Sequence, residues 1–135
     1  MIVDVSAVLA VLRAEPGSEA IVDVLARAEP PLMSAGTYLA AAAEVDAVGD
    51  PVLSGRLDDL LVAARVKIEP VTRRQADLAR RAWRDFGAPS GHPAALSLAD
   101  CYSYALARDL DRPLLCSNGA GFSLTDVAVA GGPGR

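Results

Sequence analysis

The chain is short of the residues that most directly announce chemistry. It has one histidine (His92), one lysine (Lys67) and two cysteines, Cys101 and Cys116, without metal-ligand spacing. That argues against a zinc site or a disulfide framework and reads both cysteines as small core residues. Aromatic residues make up only 4% of the chain, too few for a surface on which single-stranded nucleic acid could stack. No apolar run approaches the ~20 residues that span a bilayer. The short apolar opening has no basic leader, so no export signal is expected and a cytoplasmic location is. An excess of positive charge is also missing. The net charge of −4 argues against broad nucleic-acid binding through a basic footprint. It leaves room for a nuclease in which a bound metal supplies positive charge locally.

What is present is a chain of 135 residues, 52% of them hydrophobic, enough for one globular domain with a sizeable core. That domain is expected over residues 1–130, followed by a disordered Gly-Gly-Pro-Gly-Arg tail at 131–135. Short β-like runs at Met1–Val3, Leu32–Ser34, Val66–Glu69 and Leu114–Cys116 alternate with helical patterns. This alternation is the signature of βαβ units and gives an α/β class with a parallel sheet. Helices are expected over Ser6–Leu12, Ser18–Ala28, Thr37–Val48 and Ser54–Arg65. A further helix, N-capped by Thr72, is expected to run to about Phe86, and another from Pro93 to about Leu110. Thr125–Val129 reads as an edge strand.

Two carboxylates stand out against apolar surroundings. Asp4 ends the first strand, and Asp100 falls about two turns inside the helix expected from Pro93. An ionised group is costly in such places unless it has a partner. One partner is a divalent cation such as Mg²⁺, which takes one or two carboxylates, several waters and substrate phosphate oxygens. The plainer alternative is that Asp4 caps the next helix and Asp100 pairs with an arginine. In an open parallel sheet, ligands bind beyond the carboxyl ends of the strands, where Asp4 lies. Glu44 sits one turn after Ala40 on the same helix face.

Several segments taken together resemble one known family. They are Ile2-Val3-Asp4-Val5-Ser6-Ala7, Met33-Ser34-Ala35-Gly36-Thr37-Tyr38-Leu39 and His92-Pro93-Ala94-Ala95-Leu96 with Asp100-Cys101. Tyr104-Ala105-Leu106-Ala107, Pro113-Leu114-Leu115 and Phe122 with Thr125-Asp126 continue the pattern. The chain resembles, over nearly its whole length, the PIN-domain ribonuclease toxins called VapC. The resemblance implies a three-layer fold with a four- to five-stranded parallel sheet flanked by helices, commonly dimeric. It also implies a Mg²⁺-dependent endoribonuclease (Mn²⁺ as a possible substitute) cutting structured RNA. The toxin's partner would be a cognate VapB-type antitoxin. Asp4 and Asp100 match the family's two metal-binding aspartates.

The sequence departs from that pattern at the other acids. Ala40 stands where a glutamate is usual, and the loop Ser117-Asn118-Gly119-Ala120-Gly121 before Phe122 is one residue longer and carries no acid. Val5 replaces the usual threonine. Losing a general base costs roughly 10²–10⁴-fold in rate. Glu44 is the candidate to replace the missing catalytic acid, and Asn118 a candidate neutral ligand. The competing reading is therefore a degenerate PIN domain that binds its antitoxin and cuts RNA poorly or not at all. An Asp4 phospho-acceptor of the receiver type is disfavoured, because neither neighbouring acids nor the downstream lysine are present. Ser6 is expected to support Asp4 or to cap the first helix. His92 is expected to order its loop by hydrogen bonding rather than to act as a base. Arg73, Arg80 and Arg84, with Arg74 and Arg81 beside them, read as an ordinary polar helix face or a phosphate-guiding surface.

Overall fold

A computed structural model describes residues 1–27, 29–117 and 120–130. The expected tail and Asn118 lie outside these residues. Five short strands form one all-parallel sheet: β1 (Ile2–Val3), β2 (Leu32–Ser34), β3 (Lys67–Glu69), β4 (Leu114–Leu115) and β5 (Val129–Ala130). Their order is β3-β2-β1-β4-β5. β1 is central, and the chain winds outward from it in both directions, so the strand order reverses between β1 and β4.

Side chains alternate across a strand, and here the alternation sorts the core into two layers. Val3, Met33 and Leu115 face one cluster, which includes residues of α1 (Val5–Leu12), α2 (Ser18–Leu25), α3 (Ala35–Asp46) and α4 (Pro51–Ala63). Ile2, Leu32 and Leu114 face the other, built with α5 (Arg73–Phe86), α6 (Leu98–Leu110) and Phe122. The result is the expected α/β/α sandwich, with the inner strands β1, β2 and β4 buried on both faces. Among the described residues, no helix is long and apolar enough to cross a membrane.

Three of the boundaries that differ from expectation have a clear local reason. The helix expected from Pro93 starts at Leu98. Ala95 takes a left-handed φ of 46°, and Leu96 exchanges backbone hydrogen bonds with Phe86 and Ala88, so residues 93–96 form a turn rather than a first helical turn. α4 begins three residues earlier than its apolar spacing suggests, because Asp50 accepts from the Val52 N–H and Pro51 fits the first turn. The last strand lies at Val129–Ala130 instead of Thr125–Val129. Thr125 instead closes a 3₁₀ turn (Gly121–Leu124) by donating to the Phe122 carbonyl.

Candidate active site

β1 ends at Val3, and Asp4 turns the chain into α1 by capping it. Its Oδ2 accepts from the Ser6 N–H at 3.0 Å, satisfying one of the orphan donors of the helix start. Its Oδ1 accepts a 2.6 Å hydrogen bond from the Ser103 hydroxyl on α6. The Asp4 side chain is wholly buried. Burial pushes its carboxyl above the usual range; the Ser103 and Ser6 bonds pull it back, and the negative charge of Asp100 adds to the rise.

Asp100 is the third residue of α6 and forms a reciprocal capping pair with Ser97. Its Oδ2 accepts from the Ser97 N–H at 2.8 Å, and Ser97 Oγ accepts from the Asp100 N–H at 3.1 Å. It therefore sits in the first turn, not two turns in. The electrostatic effect of Asp100 on Asp4 places the two acids in one field. Cys116 registers both: burial, with Asp4 and Asp100 adding, pushes its thiol up to about 12. That shift favours the neutral thiol over a reactive thiolate. Burial and Asp100 likewise push Cys101 up to about 11.

A cleft of about 750 Å³ opens beside these residues, lined by Ser6, Pro93, Ala95, Asp100, Ser117 and Gly121 among others. Asp100 is the one ionisable group among the described residues lining it, and no basic side chain joins it there. Asp4 stands behind Ser6 and outside that lining. The arginine partner that the plainer reading supplied for Asp100 is absent: among the described residues, no lysine or arginine pairs with either acid. The capping role of Asp4 is real, and it leaves the charge unanswered.

Glu44 does not join them. It pairs with Arg13 at 3.3 Å, both side chains half exposed, and Arg13 follows the last residue of α1. At 1.5 Å rise per residue, that is roughly 13 Å along α1 from the Asp4 cap. The missing local cation for Glu44 is thus supplied by a neighbouring helix. Ala40 is half-buried against the first core layer. Gly121 has no room for an acid: a Cβ there would come within 2.8 Å of the Ala94 carbonyl carbon and closer still to its oxygen.

His92 behaves as a loop organiser, its Nδ1 accepting from the Ala94 N–H at 3.0 Å. Ser6 is not the cap of α1; its hydroxyl accepts from the Ser117 N–H at 3.0 Å and ties the loop after β4 to α1. Arg73 and Arg74 pair with Asp77 and Asp109, as a polar helix face would. Ser103 and Thr37 are the residues that sequence reasoning passed over. Both are fully buried, and Ser103 lies three residues after Asp100, on the same face of α6. That spacing was the available signal.

Two carboxylates with no cationic partner among the described residues, one of them lining a cleft, suit a hard divalent ion that takes the rest of its shell from water and phosphate. They do not make a closed cage: among the described residues, no group of three or more His, Cys, Asp or Glu is placed to hold a metal.

Comparison with known proteins bears on this arrangement. The PIN domain family model matches residues 1–128. Ribonuclease VapC28 of Mycobacterium tuberculosis is 51% identical over 115 residues, covering 85% of this chain and 86% of that protein. Ribonuclease VapC42 of the same species is 40% identical over 130 residues, covering 96% and 98%. Among solved structures, VapBC2 from Rickettsia felis, bound to a DNA fragment from its promoter, superposes with a TM-score of 0.72 at 12% identity, covering 95% of this chain and 94% of that one. Mycobacterium tuberculosis VapC20, described as a sarcin–ricin loop cleaving toxin, gives 0.67 at 20% identity, covering 95% and 97%.

Proposed function

Because this chain belongs to the PIN-domain family and, within it, to the VapC ribonucleases, we propose that it is the toxin of a type II toxin–antitoxin pair. Its activity is endoribonucleolytic, its partner a VapB-type antitoxin, its assembly a homodimer and its substrate structured RNA. PIN-domain nucleases are in general dependent on a divalent metal. Here Mg²⁺ is the proposed ion, with Mn²⁺ as a substitute, held by Asp4 and Asp100. What supports this reading is that Asp4 ends the central strand beside the strand-order reversal, that the negative charge of Asp100 acts on it, and that no lysine or arginine pairs with either acid among the described residues.

When bound, the cation supplies charge neutralisation for the scissile phosphate and acidifies water for attack. The residues of this chain do the rest. Asp100 lines the cleft while the Ser97 N–H holds its Oδ2. Ser6 and Ser103 hold Asp4 from two sides. The cleft lining has no arginine or lysine among the described residues, so that lining offers an entering RNA phosphate no positive side chain of its own. With Ala40 and Gly121 in place of acids, Asp100 is the only described side chain in the cleft able to take a proton.

A second reading is favoured by one feature, the backbone of Ala94 occupying the space of a side chain at 121. On it, the domain keeps its antitoxin and has lost cleavage. Purified protein is incubated with structured RNA and Mg²⁺ or Mn²⁺, with a chelator control, for wild type, Asp4→Asn, Asp100→Asn and Ala40→Glu. The nuclease reading expects metal-dependent cleavage that both Asn variants abolish. An inert wild type that Ala40→Glu activates establishes the degenerate domain instead.

A further inference from the structure

Behind Asp4 lies a short chain of hydroxyls that α1 capping does not require. Ser103 Oγ on α6 donates to Asp4 Oδ1 at 2.6 Å, and Thr37 Oγ1 on α3 lies 2.9 Å from Ser103 Oγ. Ser103 has a single O–H, and the carboxylate can only accept it. The second contact must therefore run from Thr37 to Ser103, giving a polarised chain from Thr37 through Ser103 to Asp4.

All three side chains are fully buried. Buried hydroxyls are costly without partners; Ser103 gives the buried Oδ1 its partner, whereas a valine at 37 would fill the same α3–α6 contact without the second hydroxyl. The cap is already complete through Oδ2 and the Ser6 N–H. Close approach of the two helices is built in as well. Gly36 precedes Thr37, Tyr102 precedes Ser103, and a Cβ at position 36 would run into the Tyr102 ring. Two helices thus act on the one oxygen of Asp4 that α1 leaves unused, α6 directly through Ser103 and α3 through Thr37 behind it.

We infer that Thr37 and Ser103 are positioning residues for Asp4, fixing the rotation of its carboxylate so that it can serve, with Asp100, the divalent ion of the proposed site. The inference rests on that site. Bond by bond, Ser103 takes one lone pair of Oδ1 and Ser6 one of Oδ2, which locks the carboxylate plane and leaves the remaining lone pairs for the ion. Partners of metal ligands typically contribute 10–100-fold to metal affinity.

Mn²⁺ titration of the full-length protein, followed by the electron paramagnetic resonance of the free ion, tests it without any RNA. Ser103→Ala is expected to weaken Mn²⁺ binding roughly 10–100-fold, and Thr37→Val roughly tenfold, the low end of that range. Thr37→Ser, which restores the hydroxyl, is expected to bind as the wild type does. Thermal melting by circular dichroism verifies that each variant is folded; if Ser103→Ala is not, the Thr37→Val and Thr37→Ser pair decides alone. Equal Mn²⁺ affinity in wild type and folded Thr37→Val overturns the positioning role while the two-acid site stands. So does a Thr37→Ser variant as weak as Thr37→Val. A wild type that binds no Mn²⁺ overturns the site itself, and this inference with it.

Discussion

Replacing Asp4 by Asn separates a structural aspartate from one kept for an ion. Asn caps a helix as well as Asp does, and its oxygen can still accept from the Ser6 N–H, now at 3.0 Å from Asp4 Oδ2. Its amide then faces Ser103, and the Thr37–Ser103 hydroxyls can reverse to accept it, since the 2.9 Å contact permits either donor. The variant exchanges a hydrogen bond to a charged group, worth about 1.5–3 kcal/mol, for one between neutral groups, worth about 0.5–1.5 kcal/mol. It is relieved of a wholly buried carboxylate whose desolvation is the largest influence on its titration and is likewise a matter of kcal/mol. The two offset, so unfolding free energy in chelator at pH 7 should stay within about 1 kcal/mol of wild type, the spread of an ordinary substitution.

The pH dependence has a definite sign. A carboxyl raised on folding holds more protons in the native state, so its protonated form contributes stability below the ordinary value of 3.8, and that contribution is lost as pH climbs through the raised folded value. The difference between wild type and Asp4→Asn should therefore move against the wild type as pH rises from 4 toward neutrality. Adding Mg²⁺ at about 100 times its dissociation constant should stabilise the wild type by about 2.7 kcal/mol and leave the variant unmoved. Urea unfolding at several pH values, with and without metal, reads all three quantities. Loss of more than about 3 kcal/mol in chelator, the scale of breaking a buried charge network, together with retained Mg²⁺ stabilisation in the variant, would refute the reasoning and leave Asp4 as a cap alone.

Other substitutions probe the surrounding geometry. Gly36→Ala forces the Tyr102 ring aside and should cost about 1–3 kcal/mol by overpacking while weakening Mn²⁺ binding, seen in the same melts and titrations. Gly121→Asp should destabilise through the Ala94 backbone without raising RNA cleavage, whereas Ala120→Asp, at a half-buried position lining the same cleft, should fold normally and tighten Mn²⁺ binding. Glu44→Gln removes an exposed ion pair with Arg13 and should change stability by less than about 1 kcal/mol, with cleavage unaltered.

Most of the sheet was legible because β1, β2 and β4 are short apolar runs and β3 alternates before Pro70, and β1, β2 and β3 fall within a residue of where those signals place them. Asp4 was legible for the same reason, being a lone acid ending such a run. The turn at 93–96 was not, since proline before a helical pattern usually marks a start. Only the pairing of Leu96 with Phe86 and Ala88, remote from any local propensity, places Pro93 outside the helix. Glu44 misled because helix-face reasoning sees cations only three or four residues away, and Arg13 arrives from another helix. Thr37 and Ser103 look like ordinary helix residues until the fold brings them together across 66 positions.

The contact of Gly121 with Ala94 also bears on evolutionary reversibility. A lineage with this backbone cannot regain an acid at that loop position by one substitution, because the neighbouring turn must first retreat. Descendants under selection for faster RNA cutting would therefore recruit a carboxylate elsewhere, at 120 or on α3, and homologues with such relocated acids are where that history should be read.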